Sequence, residues 1–391
     1  MLRAIALLAL AVLVGCQSPP SRPQRTQDEL FKARDAENSV RAADFNVLMN
    51  TLLIRAHDKV VAAKAGGGKP TLDLLVVSGG GDWGAFGAGV LKGWGKVSGD
   101  MARPSFDVVT GVSTGAMIAP FAFLGDDDSI ERIVQLYRHP KDDWIKSRGL
   151  MFFMPSNPSF YALPGLEQEM SAKLDRPMLE RVVAEGAKGR TLLVNTTNID
   201  LGEMRAWDIV AETKTALKKN DEKQVYSILL ASAGIPAVFP ARDIGEWLYV
   251  DGAITGNILY GGRAGEADSF PVRWRKAYPR DPLPRLRYWV IFNNQIRFPP
   301  QITPERWPDI MSRATIMGTQ TSTLNSMRHL FTLAELVRVK HEADVEVRVM
   351  AVPDSFVPSV PGSFKSEVMN TLADIGEQMG ANPESWRTEP P

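Results

Sequence analysis

Hydrophobic positions follow two patterns that alternate along the first third of the chain. Continuous apolar runs at residues 72–77 and 106–110 are typical of strands that a parallel sheet buries on both faces. Each run is followed by glycines and then by an apolar stretch of helical character, at residues 85–94 and 116–124. A strand, a glycine turn and a helix, repeated in this order, predict right-handed crossovers in a layered α/β sheet.

The same patterns predict elements along the rest of the chain. Further helices are expected at residues 28–64, 129–137, 226–233, 304–341 and 364–379, with Ser129 and Gly380 as caps. Further strands are expected at residues 191–199, 205–210, 247–250, 288–292 and 345–352. No internal repeat and no clear linker interrupts residues 28–385, which favours one large domain.

The first residues have the pattern of a targeting signal. A positively charged start is followed by an apolar run at residues 4–13 and then by Cys16. This predicts a signal peptide over residues 1–15, because the run is shorter than the 20 or so residues that a membrane span needs. Leu13-Val14-Gly15-Cys16 resembles the bacterial lipobox, in which the cysteine is acylated and becomes the mature N-terminus. The alternative is an ordinary secretory signal with an incidental cysteine.

A short spacer follows the predicted lipidation site. Residues 17–25 contain three prolines and no hydrophobic pattern, which indicates an extended tether over residues 16–27. The lipobox resemblance implies a lipid-anchored protein of the bacterial cell envelope. Gln17, rather than aspartate, after the cysteine favours the outer membrane.

Composition and charge exclude several classes of protein. The chain of 391 residues is 44% hydrophobic and 23% charged, which is typical of a folded globular protein and argues against disorder, collagen and coiled coil. Lys and Arg balance Asp and Glu at 45 each, and no basic run offers a nucleic-acid footprint. The single cysteine, Cys16, excludes an internal disulfide, and four scattered histidines argue against a metal site. We therefore expect no cofactor, no metal and no nucleic-acid partner.

Gly111-Val112-Ser113-Thr114-Gly115 fits the Gly-x-Ser-x-Gly pattern of a nucleophile elbow. In such an elbow a strand turns sharply into a helix, which exposes the serine, and Gly111 and Gly115 leave room for the turn. An apolar strand precedes Ser113 and an apolar helix follows it, as the motif requires. The alternative is a structural turn bounded by glycines.

Residues 79–84 form a second glycine-rich turn between a strand and a helix, Gly79-Gly80-Gly81-Asp82-Trp83-Gly84. Backbone N–H groups at such a helix start stabilise an anion. The anion is either the oxyanion of an acyl-transfer intermediate or a pyrophosphate, since the same glycines satisfy a dinucleotide fingerprint. That fingerprint requires an acidic residue at the end of the second strand, whereas here Asp107 lies at its beginning.

Asp251 follows the strand predicted at residues 247–250 and precedes Gly252. Its carboxylate is expected to project beyond the carboxyl end of that strand, where α/β sheets place their sites. The alternative is an aspartate that caps a turn. Just upstream, residues 231–240 read Ala-Ser-Ala-Gly-Ile-Pro-Ala-Val-Phe-Pro.

Taken together, these four stretches resemble the patatin-like phospholipase family. Its glycine-rich oxyanion loop, nucleophile elbow, Ala-Ser-x-x-x-Pro-x-x-Phe-Pro stretch and Asp-Gly pair occur in this order, and the resemblance covers about residues 72–257. It implies a three-layer α/β/α fold with a mainly parallel sheet and lipid acyl hydrolysis. It also implies Ser113 as nucleophile, Asp251 as its dyad partner and Gly79, Gly80 and Gly81 as the oxyanion hole. Trp83 and Ala253 depart from the residues common in the family.

Two other functions are compatible with the sequence. Ser113, Asp251 and then His329 or His341 occur in the chain order of an α/β-hydrolase triad, although both histidines fall in a predicted helix. A non-catalytic lipid-binding envelope lipoprotein is the second alternative. Apolar residues 150–154 and 160–161 are candidates for a lip that receives acyl chains, with buried packing as the alternative.

The sequence therefore predicts a serine acyl hydrolase of the phospholipase A or lysophospholipase type, acting on lipid acyl esters. Its organisation is expected to be a signal peptide at 1–15, a tether at 16–27 and an N-terminal helical segment at 28–70. A catalytic core at 71–262 is followed by strands and helices at 263–391 that complete the fold.

Overall fold

The computed structural model of the protein describes residues 22–149, 157–261 and 268–391. The predicted signal peptide, Cys16, the start of the tether and residues 150–154 of the predicted lip lie outside the described residues.

Helices and strands alternate along most of the chain. The helices are α1 (Gln27–Gly66), α2 (Gly84–Trp94), α3 (Thr114–Leu124), α4 (Asp127–Arg138), α5 (Pro164–Lys173), α6 (Arg176–Gly186), α7 (Ile209–Lys219), α8 (Lys223–Ser232), α9 (Phe270–Ala277), α10 (Trp307–His341) and α11 (Ser366–Gly380). The strands are β1 (Thr71–Val77), β2 (Val108–Val112), β3 (Lys146–Ser147), β4 (Tyr161–Ala162), β5 (Thr191–Asn198), β6 (Glu203–Asp208), β7 (Arg242–Ile244), β8 (Trp247–Asp251), β9 (Arg285–Gln295) and β10 (Val345–Val352).

One central sheet organises these elements. Its strands run in the order β10-β9-β1-β2-β5-β8-β7, and β6 pairs with β5. From β10 to β5 each strand is parallel to the next, whereas β8 pairs antiparallel with β5, β7 with β8 and β6 with β5. The predicted α/β fold with a mainly parallel central sheet is confirmed.

Two hydrophobic cores cover the two faces of this sheet. Successive residues of a strand point to opposite faces, so Leu75 and Val77 of β1 join one core, with α2, α3 and α4, while Leu72 and Val76 join the other. The second core contains buried residues of α1, α9 and α10. Helices on both faces give three layers.

The C-terminal part of the chain belongs to the same sheet as the part with the motifs. β9 pairs with β1 along its whole length, from Thr71 with Arg285 to Val77 with Ile291, and β10 pairs with β9. Residues on both sides of position 262 therefore share one sheet and its two cores.

Several boundaries differ from the predictions for local reasons. Helix α4 begins before Ser129, because the Asp126 side chain accepts from the backbone N–H of Ser129 and is the N-cap. The strand predicted at 205–210 ends at Asp208, whose carboxylate caps α7. The short elements β3, β4 and β7, and helices α5, α6, α7 and α9, were not predicted.

Candidate active site

Ser113 lies alone between β2 and α3, in a backbone conformation that L-residues rarely adopt. Its φ is 53° and its ψ is −124°, a strained geometry of the kind found at functional sites. A Cβ at Gly111 would overlap the carbonyl of Gly115, and a Cβ at Gly115 would overlap the carbonyl of Val77. Both glycines are therefore required for the turn that the sequence predicted here.

The elbow is held from outside by the stretch at residues 231–240. The backbone N–H of Ser113 donates to Oγ of Ser232 at 2.9 Å, and that hydroxyl donates to the carbonyl of Asn195 at 2.6 Å. The Ala-Ser pair of this stretch thus fixes the serine turn to β5, which the sequence alone did not reveal.

Two strands meet end to end beside β5. β6 occupies one edge of β5 along residues 193–198, so β2 and β8 share the other edge. Val112, the last residue of β2, pairs with Asn195. Asp251, the last residue of β8, pairs with the next residue, Thr196. Because β2 is parallel to β5 and β8 is antiparallel to it, their carboxyl ends face each other at this point.

This arrangement corrects the expectation that Asp251 projects beyond the end of a strand. β8 starts beyond the carboxyl edge of the parallel strands and runs inward, so Asp251 stops at the level of Ser113. The chain must then turn away at Gly252, where a Cβ would overlap the carbonyl of Asn195 and contact Val112. Only glycine fits this position without a shift of the backbone.

The side chains of Ser113 and Asp251 contact each other directly. The Ser113 hydroxyl donates to Oδ2 of Asp251 at 2.8 Å, and the backbone N–H of Ala253 donates to Oδ1 at 2.8 Å. Both side chains are buried. Burial raises the pKa of Asp251 to about 7, against the two hydrogen bonds that lower it. A carboxylate with this pKa is a stronger base than an ordinary aspartate.

The glycine loop lies against this pair. A Cβ at Gly79 would lie 2.9 Å from Cβ of Ser113, so the loop passes directly beside the serine. The N–H of Gly79 donates to Oδ1 of Asn257 at 2.8 Å. The prediction that Gly79 belongs to the oxyanion hole therefore needs correction, since its donor is already engaged. Among the described residues, the N–H groups of Gly80 and Gly81 have no acceptor.

Residues outside the recognised motifs hold this loop in place. Nδ2 of Asn257 donates to Oγ1 of Thr323 in α10 at 3.0 Å. Asn293 of β9 donates through Nδ2 to the carbonyl of Ser78, and its own N–H donates to Oγ of Ser78. A Cβ at Gly80 would overlap the carbonyl of Asn293. These contacts are missed by sequence reasoning because no local motif marks them.

The unusual residues of the loop contact the C-terminal region. Trp83 packs edge-on against Phe356, with ring centroids 5.4 Å apart. Oδ2 of Asp82 accepts from the backbone N–H of Phe364 at 2.7 Å, and burial raises the pKa of Asp82. The loop is thus anchored to the C-terminal region through an aromatic contact and a buried carboxylate.

The structure separates the histidines from the serine. Nδ1 of His329 bonds the hydroxyl of Tyr260 at 2.8 Å, and His341 ends α10. A triad requires an imidazole between serine and aspartate, whereas here the Ser113 hydroxyl contacts Asp251 itself.

Asp107, the acidic residue considered for dinucleotide binding, forms ion pairs away from the glycine loop. Asp107 lies at the amino end of β2 and pairs with Arg55 at 2.5 Å and with Lys59 at 2.6 Å. This is the opposite end of the strand from the glycine turns, so the carboxylate is not placed to bind a ribose at the glycine loop.

The described part of the chain shows neither a metal cluster nor a membrane-spanning helix. In residues 22–149, 157–261 and 268–391 no group of three or more His, Cys, Asp or Glu side chains is arranged to hold a metal ion. Within the same part of the chain, no helix is both long and apolar enough to cross a bilayer.

Comparison with known families identifies the region that contains the motifs. The model of the patatin-like phospholipase family matches residues 75–261. This region is a patatin-like phospholipase domain. The family consists of lipid acyl hydrolases, and the domain contains Ser113, Asp251, the glycine loop and Asn257.

Two wider comparisons accompany this match. The crystal structure of VipD from Legionella pneumophila aligns with a TM-score of 0.38 at 12% identity, covering 81% of this chain and 68% of VipD. No curated protein matches the chain. Asn293 and Thr323, which support the glycine loop, lie beyond the patatin-like phospholipase domain.

Proposed function

We propose that the protein is a serine hydrolase that cleaves acyl esters of lipids through a Ser113/Asp251 dyad. The observation that carries the proposal is the 2.8 Å contact from the Ser113 hydroxyl to Asp251 at a strained elbow. The patatin-like phospholipase domain supports a lipid as the substrate. Phospholipids and lysophospholipids are the substrate class we expect.

The reaction uses Asp251 first as a base and then as an acid. Asp251 accepts the hydroxyl proton of Ser113 while the serine oxygen forms a bond to the ester carbonyl carbon. As the tetrahedral intermediate collapses, the ester C–O bond breaks and Asp251 returns the proton to the leaving alcohol. Water then attacks the acyl-enzyme by the same route and releases the fatty acid. A pKa of about 7 suits both roles near neutral pH.

The N–H groups of Gly80 and Gly81 are the proposed oxyanion donors. They lie in the loop that passes beside Ser113, and neither has an acceptor among the described residues. Donors that are fixed before the reaction stabilise the negative oxygen of the intermediate, each by about 3–4 kcal/mol in comparable enzymes. Gly79 has a different role, which is to hold the loop through Asn257.

The sequence supports a location for this activity. We propose that Cys16 is acylated after removal of residues 1–15, and that the tether attaches the enzyme to the bacterial envelope, at the outer membrane. Lipid substrates are then present at the surface to which the enzyme is bound.

The proposed dyad is tested by four single variants with a soluble fluorogenic short-chain ester. Ser113→Ala should lose several orders of magnitude in kcat, and Asp251→Asn nearly as much, because its amide does not accept the proton. His329→Gln and His341→Gln should each retain activity within about tenfold.

A fluorophosphonate probe detected by mass spectrometry locates the nucleophile independently. It should label Ser113 in the unmodified protein, label Asp251→Asn much more slowly, and leave Ser113→Ala unlabelled. A folded histidine variant as inactive as Ser113→Ala would favour the triad. An unmodified protein that hydrolyses no ester and takes up no probe would favour the non-catalytic lipoprotein.

A further inference from the structure

The N-terminal half of α10 extends beyond the body of the protein. From Gln320 onward the helix packs on the sheet, and Nε2 of Gln320 donates to the carbonyl of Gln295 at the carboxyl end of β9. Every residue from 310 to 318 except Arg313 is exposed. Trp307 lies sixteen residues before Thr323, or about 24 Å along the helix. This half of α10 therefore projects past the carboxyl edge of the sheet.

The projecting half carries large apolar side chains on its outer side. Trp307, Ile310, Met311 and Met317 follow one another at spacings of three, one and six residues and are all exposed. At about 100° per residue, Trp307 and Met311 lie on the side of α10 opposite to its buried residues, and Ile310 and Met317 lie on the adjoining flank. Ile302, in the preceding loop, is 99% exposed and Trp307 is 76% exposed. We call Ile302 and these four helix residues the apolar tip.

The polarity of this half-helix is the reverse of what a helix on a soluble body shows. Its charged residue Arg313 faces the protein, where it lies over the ring of Phe298 at 4.0 Å and donates to the carbonyl of Pro299. Arg306 pairs with Asp309 at 2.7 Å. Asp309 and Arg313 are thus paired or packed on the body, while large apolar side chains of this half-helix are exposed, a combination that marks an interaction surface.

The apolar tip is on the same edge of the molecule as Ser113. Thr323 follows the projecting half of α10 by about one helical turn and accepts a hydrogen bond from Asn257. Asn257 in turn accepts from the N–H of Gly79 in the glycine loop beside Ser113. Both the tip and the serine therefore lie at the carboxyl edge of the parallel strands.

The N-terminal chain reaches this edge as well. Arg22 bonds Asp200 at 2.5 Å, and Asp200 lies two residues beyond the carboxyl end of β5. Cys16, the predicted lipidation site, precedes Arg22 by six residues, a span of at most about 20 Å. The chain that carries this cysteine therefore joins the body at the edge of the molecule that contains Ser113.

We propose that the apolar tip inserts into the surface layer of a lipid bilayer and turns the carboxyl edge of the sheet, with Ser113, toward the lipid. The occupant of this surface is the membrane rather than a protein, because the active site, the tip and the attachment of the N-terminal chain share one edge. Tryptophan, isoleucine and methionine side chains suit the boundary between head groups and acyl chains. Because its inserted side chains carry no charge, the tip binds neutral lipid and resists salt.

The proposal is tested by sedimentation with vesicles of phosphatidylcholine. The chain used begins at Gln17, which retains every described element, and carries Ser113→Ala so that no lipid is hydrolysed. Ile310→Ser with Met311→Ser should lower the vesicle partition coefficient about tenfold or more, because two large apolar side chains no longer enter the bilayer. Binding of the parent chain should be unchanged in high salt.

A matched pair at the other end of the same helix is the control. Leu336 and Val339 are 55% and 72% exposed, compared with 51% and 59% for Ile310 and Met311. They lie near the amino end of β10, since Arg338 bonds the carbonyl of Val345. Leu336→Ser with Val339→Ser should change the partition coefficient less than twofold. With Ser113 intact, both double variants should hydrolyse the soluble short-chain ester at the unmodified rate.

The role of the tip in turning Ser113 toward lipid rests on the proposed function. The outcomes of the experiment nevertheless test the membrane surface and the proposed function separately. Equal partition of the two double variants would overturn the inference, as would a dimer in size-exclusion chromatography that only Ile310→Ser with Met311→Ser dissociates. Loss of vesicle binding in Ile310→Ser with Met311→Ser, but not in the control pair, supports the apolar tip as a membrane-binding surface even if no ester is hydrolysed. Full ester hydrolysis without vesicle binding supports the proposed function and rejects the surface.

Discussion

The burial of Asp251 makes its carboxylate a stronger base and at the same time lowers the stability of the folded protein. Its carboxylate is buried, and burial raises its pKa in the folded protein to about 7 from an ordinary value of 3.8. Between these two pH values the folded state binds more protons than the unfolded state, so the free energy of unfolding falls as pH rises. The loss of stability from the buried charge is absent below about pH 4 and complete above about pH 7.

Replacing Asp251 by Asn should therefore stabilise the protein at high pH. The Asn oxygen still accepts the Ala253 N–H, and its amide donates to the Ser113 hydroxyl, but no charge is buried. At pH 8 the free energy of unfolding should exceed that of the unmodified protein by as much as about 4 kcal/mol. The difference should shrink toward zero near pH 4. Urea unfolding followed by circular dichroism at both pH values measures it.

The activity of the unmodified protein should have the opposite dependence on pH. The reaction requires Asp251 as a carboxylate, so kcat on a soluble ester should rise through about pH 7 and then level off. A variant no more stable than the parent at pH 8, or a kcat that is flat from pH 5 to pH 8, would show that Asp251 is already ionised at pH 5.

The elements around the site differ in how far the sequence reveals them. The elbow at Ser113 and the glycine loop are local patterns, because glycines a few residues away decide whether the chain can turn. The meeting of β2 and β8 is not local. It depends on β8 running antiparallel to β5, which the pattern of residues 247–250 leaves open. The strand pattern therefore placed Asp251 beyond the end of a strand, and its pairing with Ser113 was expected only from the family resemblance.

The supports of the glycine loop were not predicted for a similar reason. Asn257, Asn293 and Thr323 belong to a loop, a strand and a helix that become neighbours only through the strand order, in which β9 lies beside β1. Polar residues of this kind have no spacing pattern of their own. Only the structure shows that they hold the loop.

Asn257 gives a test of this support. In Asn257→Ala the buried N–H of Gly79 loses its acceptor, which costs about 1–3 kcal/mol. The loop then shifts from its position beside Ser113. We expect kcat on a soluble ester to fall about tenfold to a hundredfold, with a smaller change in KM. Steady-state kinetics on protein whose folding is verified by circular dichroism measures this.

Two further variants show that the effect comes from positioning. Asn257→Asp keeps an oxygen for the Gly79 N–H and should restore most of kcat. Thr323→Val removes the outer hydrogen bond to Nδ2 and the bond from its own hydroxyl to the carbonyl of Thr319, but it leaves the Gly79 contact in place, so it should have a smaller effect than Asn257→Ala. If Asn257→Ala is folded and fully active, the Gly79 contact has no part in catalysis.

On the scale of the whole molecule, the N-terminal chain links the body to its proposed place in the cell. The described chain starts at the carboxyl edge of the sheet, where Arg22 bonds Asp200 and Arg25 bonds Glu246. Cys16→Ser should abolish acyl labelling in the cell. The unmodified protein should stay with membranes in high salt, because each buried methylene contributes about 0.8 kcal/mol that salt does not screen.

Metabolic labelling with a fatty-acid analogue and membrane fractionation decide this prediction. Release of the unmodified protein by a salt wash would indicate peripheral binding. Labelling that persists in Cys16→Ser would place the acyl group on another residue.

The largest-scale prediction concerns the C-terminal region, which the family match leaves out. A chain that ends at Gly261 loses β9, so one whole edge of β1 is unpaired, and Leu72 and Val76 lose the residues that β9, β10, α9 and α10 contribute to their core. It also loses Asn293 and Thr323, which support the glycine loop. Such a chain should show no cooperative unfolding transition and no ester hydrolysis. A chain that ends at Arg387 keeps every strand and the packing of Trp386 on Trp94, and should unfold cooperatively. Cooperative unfolding of the shorter chain, with normal kcat, would mean that the matched domain folds without the strands that complete its sheet.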